Sequence, residues 1–218
     1  MARLKIHWRT LSEFAPKGVT TGQTSEEAAK TATLRSERPM MVYVTSDDPT
    51  DSITRKLEDI VFANEVVGIG AKFFDAIKMN AGDAEQDRLI SANGRKTPRI
   101  LFVSRAYKVT GVVQGRQLSR GRLLKAMKSL ARIEYKSSFD RMVRDYTKLL
   151  NELDRLEGRK TKLADDKARL EAKPSPSKQK KWERTRKEYE ADVASWTQRE
   201  KKLLEFKTRG EAKAKTTA

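Results

Sequence analysis

The side chains with the most chemical reach in this sequence gather in two places. The first is the run "VYVTSDDPTDS", Val42 to Ser52, which holds three carboxylates, Asp47, Asp48 and Asp51, close along the chain. Clustered carboxylates are hard oxygen ligands of the kind that hold Mg²⁺ or Ca²⁺, although the EF-hand spacing is absent. The same acids also read as helix caps: Asp48 suits the N-cap, Pro49 the first helical position, and Asp51 the first turn, where a carboxylate complements the helix dipole. Helix capping is the simpler explanation of the cluster, so no metal site is expected. The second place is residues 99–136, with ten basic side chains and one acid, Glu134. Arg116, Arg120, Arg122, Lys125, Lys128, Arg132 and Lys136 follow one another at short steps, most of them along one expected helix. Such a row matches a phosphate backbone or an acidic protein surface. A merely solvated helix face normally intersperses acids for i,i+4 pairing.

Much other chemistry is excluded. The chain has no cysteine, which removes disulfides, cysteine-ligated zinc, iron–sulfur clusters and thiol catalysis. His7 is the only histidine and cannot build a histidine metal site alone. There is no P-loop, dinucleotide glycine fingerprint or serine nucleophile elbow. Zinc-finger spacing, RNA-recognition aromatics and a helix-turn-helix signature are also missing, so any nucleic-acid binding is expected to be backbone-directed and unselective. "GIGAKFFD", at 68–75, precedes a strand instead of following one and reads as a turn. No catalytic residue and no cofactor are expected. No stretch approaches ~18 apolar residues, and "MARLKIHWRTLSEF" has no apolar signal core; a cytoplasmic protein is the expectation.

The elements that must position these groups emerge from patterning. The chain has 218 residues, 35% charged and 37% hydrophobic, with a net charge of +17. Residues 1–98 are neutral, 99–136 carry +9 and 137–218 carry +8. Residues 1–38 read as a short N-terminal element and connector. Arg38-Pro39 then introduces a strand over 40–45, because the residue before proline is biased to extended backbone. A helix over 51–64 follows, with Ile53, Leu57, Ile60 and Val61 on one face. "KFFDAIKMN", 72–80, reads as a strand and 84–91 as a helix closed by Asn93-Gly94. "PRILFV" and "YKVTGVVQG" are two more strands, and Ser119 opens a final helix.

This alternation is an α/β sheet with helices on its faces. "KTPRILFV" adds a Thr-Pro directly before an apolar strand, and with the element order and the glycine-containing last hairpin it resembles the thioredoxin-like superfamily over 39–136. The resemblance implies a cis proline that faces the active-site corner, so Thr97-Pro98 would sit opposite Asp47, Asp48, Pro49 and Thr50. The family's C-x-x-C pair would fall near Ser46 to Thr50, where this chain has oxygen-bearing side chains and a proline. The corner is therefore read as structural and redox-inactive.

Beyond 136 the pattern changes. Met142, Tyr146, Leu149, Leu153, Leu156, Leu163 and Leu170 step by fours and threes, with Lys160 and Lys167 completing the seam. "KPSPSK" breaks it, and Trp182, Arg186, Tyr189, Val193, Trp196, Glu200 and Leu203 resume it. Residues 137–207 are thus expected to form a protruding antiparallel coiled-coil hairpin, each helix roughly 50 Å long at 1.5 Å per residue. A turn centred on Ser175 would set Lys167 opposite Glu183 and Lys160 opposite Glu190. Trp182, Tyr189 and Trp196 are large for a two-helix seam, and whatever part stays exposed would anchor a partner. Residues 208–218 read as a basic disordered tail. The expected function is a non-catalytic adaptor that docks onto proteins of a larger assembly; the alternative is a sequence-nonspecific nucleic-acid- or ribosome-associated protein binding through 99–136 and the arm.

Overall fold

Five strands and seven helices are laid out by a computed structural model that describes residues 5–10, 36–48, 51–205 and 208, the Arg116 side chain excepted. The strands are β1 (Arg9–Thr10), β2 (Met40–Val44), β3 (Asp75–Met79), β4 (Arg99–Val103) and β5 (Val109–Gln114). Their order in the sheet is β1-β3-β2-β4-β5. β3 lies parallel to both β1 and β2, whereas β4 runs antiparallel to β2 and to β5. β1 was not legible in the N-terminal residues; two residues long and exposed, it carries no apolar alternation.

β2 and β4 have every residue buried, which is why they read as continuous apolar runs instead of alternating ones. One face packs Met40, Val42, Val44, Ile77, Met79, Leu101 and Val103 against Ala84 and Ile90. Those two come from helices α3 (Ala81–Gln86) and α4 (Arg88–Ala92). The sequence reads one helix there. Asp87 divides it, because its Oδ1 accepts from the backbone N–H groups of Leu89 and Ile90 at 2.9 and 3.0 Å and so starts a new helix. The Tyr107 hydroxyl donates to the other oxygen at 3.0 Å and anchors the β4–β5 turn, where Tyr107 itself has φ 57.

The other face carries Tyr43, which meets Phe62 edge-on at 5.2 Å between ring centroids; Trp8 closes the trio at 5.4 and 5.0 Å. The expected helix over 51–64 is interrupted. α1 (Ser52–Lys56) passes into a π-helical turn, Leu57–Val61, in which the Phe62 N–H donates to Leu57 O at 2.9 Å. The extra residue rotates the apolar stripe, so Leu57 and Val61 are buried while Ile60 is 63% exposed. "EVVGIGA" then forms α2 (Glu65–Ala71) instead of a turn, and β3 starts at Asp75, later than the phenylalanines. Glycine here admits a neighbour: a Cβ at Gly70 would lie 2.6 Å from Phe139 Cζ and 3.2 Å from Met127 Sδ. Met127 belongs to α5 (Arg120–Glu134). The Tyr135 hydroxyl donates to Phe73 O, and burial pushes that phenol up to about 12. Thr208 pairs with Tyr135 in an antiparallel bridge, so the expected disordered tail begins with a residue held by the head; 209–218 lie outside the described residues.

Two long helices follow, α6 (Phe139–Ala172) and α7 (Pro176–Leu204). The chain forms two compact units that divide between Val143 and Arg144, inside α6. In the second unit Leu149, Leu156 and Trp196 form a buried cluster with Leu153, Tyr189, Val193 and Leu203 against it. The Trp196 indole N–H donates to Leu149 O at 2.8 Å and that of Trp182 to Leu163 O at 3.0 Å. Both donors and both acceptors are two heptads apart, so one packing solution recurs along the pair. Tyr146 bonds Glu200, Glu152 pairs with Arg199 and Arg159 with Asp192, with numbers rising on one helix as they fall on the other. Burial and the Glu200 carboxylate push the Tyr146 phenol well above its ordinary range. The expected partners of Lys160 and Lys167 do not materialise. Both lysines are exposed; Lys167 pairs with Glu171 on its own helix at 3.7 Å, and Glu190 with Arg186 at 3.5 Å. Pairs four residues apart on one helix are worth a few tenths of a kcal/mol, about as much as an exposed pair between helices, so either arrangement is open to such side chains.

Three substitutions test this packing. Gly70→Ala should lower stability in urea by about 1–3 kcal/mol through overpacking, although alanine is the better helix former. Gly121→Ala, with nothing within 4 Å, should leave stability unchanged or raise it. Trp196→Ala should destabilise the helix pair by about 3–5 kcal/mol, read as a lower helical melting temperature by circular dichroism.

Candidate functional site

The corner after β2 is built from caps. Asp51, not Asp48, is the N-cap of α1: its oxygens accept from the N–H groups of Ile53 (3.2 Å) and Thr54 (3.0 Å) and from the Thr54 hydroxyl (2.7 Å). The Thr54 hydroxyl and those amides hold its carboxyl below the ordinary range against a small opposing effect of burial. The cap lies three residues later than the sequence suggests because the Asp51 N–H closes a turn onto Asp48 O at 3.2 Å. Asp47 Oδ1 accepts from the Ala81 N–H at 3.4 Å, the first residue of α3. Pro49 lies outside the described residues. Thr97-Pro98 is a cis peptide, and Arg99, the next residue, pairs with Val44. Pro98 and the corner therefore share one end of the β2–β4 pair.

In the sequence Arg99 opens a strand and is one of the ten cations counted over residues 99–136. It is 2% exposed, and its Nη1 donates to Lys96 O at 3.2 Å. Among the described residues its Nε has no hydrogen-bond partner, and neither does Oε1 of Gln114, its cross-strand neighbour. Burial lowers the guanidinium pKa, with Glu85 acting in the opposite sense. An arginine opening an otherwise apolar strand was the available signal. Among the described residues, no group of three histidine, aspartate or glutamate side chains converges in a way that would hold a metal.

The basic residues make the clearer site. On α5, Leu123, Met127, Leu130, Ala131 and Glu134 are buried. Helical spacing puts Arg122, Lys125, Lys128 and Arg132 on the opposite, exposed side, with Arg120 and Lys136 at its ends. Glu134, the segment's only acid, is turned inward: its carboxylate accepts from the Arg105 backbone N–H at 3.1 Å and from Nε at 2.7 Å. Lys128 reaches Asp140 at 2.8 Å. Among the described residues, Arg120, Arg122, Lys125, Arg132 and Lys136 have no ion pair. The first turn of α5 holds no acid, and Ser119 makes no side-chain cap bond. Arginines there oppose the positive end of the helix dipole, each at a cost of about 0.3–1 kcal/mol. Folding alone gives no reason for that placement.

The three aromatic residues expected as anchors divide in the helix pair, one buried and two half-buried. Trp196 is 8% exposed and serves its own seam. Tyr189 is half-buried against the same cluster, and Trp182 is half-buried with the Arg186 guanidinium over its ring at 5.2 Å. No protein-family model matches this chain, and no curated protein matches it either. The α5 face therefore stands on its own geometry. No helix among the described residues is long and apolar enough to cross a membrane.

The cap at the corner makes a pH prediction. A carboxylate whose folded pKa is depressed stabilises above its unfolded pKa, near 4, and that stability is lost as pH falls through the folded value. Asp51→Asn keeps a capping oxygen without the titration. It should nearly match the unsubstituted protein at pH 7 and lose stability less steeply below about pH 4. Asp51→Ala should cost about 1 kcal/mol at neutral pH. Urea unfolding across pH reads both.

Proposed function

We propose that this chain is a non-catalytic docking protein, a redox-inactive thioredoxin-like head joined to an antiparallel coiled-coil arm, working as a subunit of a larger assembly. The observation that carries the reading is the α5 face: five exposed cations without ion pairs among the described residues, two of them at a helix start where they oppose the dipole. Unpaired charge of one sign, held in a place that weakens its own helix, fits a surface kept for an acidic partner.

Further support comes from each unit. The strand order β1-β3-β2-β4-β5 and the cis bond at Thr97-Pro98 agree with a thioredoxin-like head. The corner that would hold a cysteine pair spends Asp51 on a cap instead, and the chain has no thiol to place there. The recurring tryptophan–carbonyl bonds and the oppositely running pairs of α6 and α7 support the coiled-coil hairpin. A fold of this type fixes no task by itself, so the docking role rests on the charged face.

A second reading draws on the spacing of that face. Lys125, Lys128 and Arg132 follow at three- and four-residue steps along one helix side, a linear track of the kind that follows a phosphate backbone. One titration separates the two. Lys125→Glu/Arg132→Glu should weaken capture of an acidic partner surface at least about tenfold, with the melting temperature unchanged, because both side chains are exposed. Labelled RNA and duplex DNA should bind only weakly at physiological salt. Submicromolar nucleic-acid binding that persists there, with a log–log salt slope of about −0.9 per phosphate that flattens in the double variant, would establish the second reading in place of the first.

A further inference from the structure

Leu163 and Leu170 continue the α6 seam toward the turn that joins the two helices. Pro176 opens α7, and the residues before Trp182 are Ser177, Lys178, Gln179, Lys180 and Lys181. None is apolar. Trp182 meets Leu163, and beyond it α7 has nothing to set against Leu170. A cavity of about 610 Å³ lies there, with Leu163, Leu170 and Trp182 among its lining residues. That volume is within the range of pockets that take a ligand, about 300–1,000 Å³.

The charged residues of the cavity are one-sided. Arg169, Lys173, Lys178 and Lys181 line it with one acid, Asp166. Among the described residues none of these four cations forms an ion pair. Two further acids of these helices are taken along their own helix: Glu171 by Lys167 and Glu188 by Arg184. Glu183 accepts from Gln179.

We infer that the end of the arm is a second binding site, which takes a short acidic peptide segment by burying one large apolar side chain against Leu170 and Trp182. The inference deepens the docking reading above, on which it rests, by giving the arm a partner class. An apolar floor inside a cationic rim supplies one desolvated anchor surrounded by complementary charge, the arrangement that concentrates binding energy in protein interfaces. A nucleic-acid strand asks for something else, a cationic track with free aromatic faces for stacking. Here Trp182 has its N–H committed to Leu163 O and a guanidinium over its ring.

The test uses the full chain and a set of fluorescein-labelled acidic decapeptides, each with Leu, Ile, Met, Phe or Trp at its centre. At least one should bind with a Kd of about 10 μM or tighter at physiological salt. Serine in place of the central residue should weaken it at least about tenfold, and so should Lys178→Glu/Lys181→Glu, two exposed positions whose change leaves helicity intact. Binding lost instead in Lys125→Glu/Arg132→Glu and kept in the Lys178/Lys181 variant would overturn the inference while leaving the docking reading standing on α5. Binding by no member of the set would overturn it too, with the docking reading then decided by the α5 titration alone. A single-stranded oligonucleotide of equal charge that displaces the peptide and depends on Lys178 and Lys181 would overturn it in favour of nucleic acid.

Discussion

Two strands with no wet face set the terms for the head. β2 and β4 pair along their whole length, Met40 with Val103 through Val44 with Arg99, and all ten residues are buried. A strand pair of this kind is stable only with a packed layer on each side. That requirement draws α3 and α4 to one face and the aromatic trio of Trp8, Tyr43 and Phe62 to the other. It also leaves polar chemistry little room. Working groups must lie at the strand ends or on the outer side of a covering helix, and the capped corner and the α5 cations occupy those places. Arg99 is the exception: a buried guanidinium with one unpartnered nitrogen sits where the pairing begins, a cost the surrounding apolar contacts must outweigh.

Charge follows a different logic in each unit. In the head the only acid of 99–136 is consumed by Arg105, and the cations of α5 stay open to solvent. In the helix pair five acids have ionic partners: Glu152 and Asp192 pair with arginines of the opposite helix, and Glu171, Glu188 and Glu190 with cations of their own. The cations around the cavity near the turn are the contrast. Exposed pairs of this sort add little stability, so their distribution says less about folding than about which surfaces keep an unbalanced charge.

The strands were legible wherever burial made the pattern extreme. "MMVYV" and "RILFV" have no polar interruption beyond Arg99, and the seam of α6 and α7 repeats often enough that two prolines could only be its break. The helices of the head were harder. "EVVGIGA" carries two glycines and two valines, a composition poor in helix propensity; α2 forms because Gly70 lets Phe139 approach, a long-range contact that local sequence does not encode. The π-helical turn at Leu57–Val61 and the division at Asp87 are likewise decided by neighbours. The cationic face was readable from composition alone, since a helix with a single acid has few ways to neutralise itself. What the sequence left out was the inward turn of Glu134, the burial of Trp196 and the cavity past Trp182, each of which depends on which side of a helix faces its partner.

The bridge between Tyr135 and Thr208 gives the helix pair a particular status. In terms of connectivity the pair is an insertion, leaving just after the last helix of the head and returning to a residue that hydrogen-bonds beside it. Closing a longer insertion adds only slowly to the entropic cost, about 0.6 kcal/mol per doubling of length. Seven residues could be removed from or added to each helix without disturbing the seam's phase or the path of the head. Length in the helix pair is therefore a dial that can turn while every contact of the sheet stays the same.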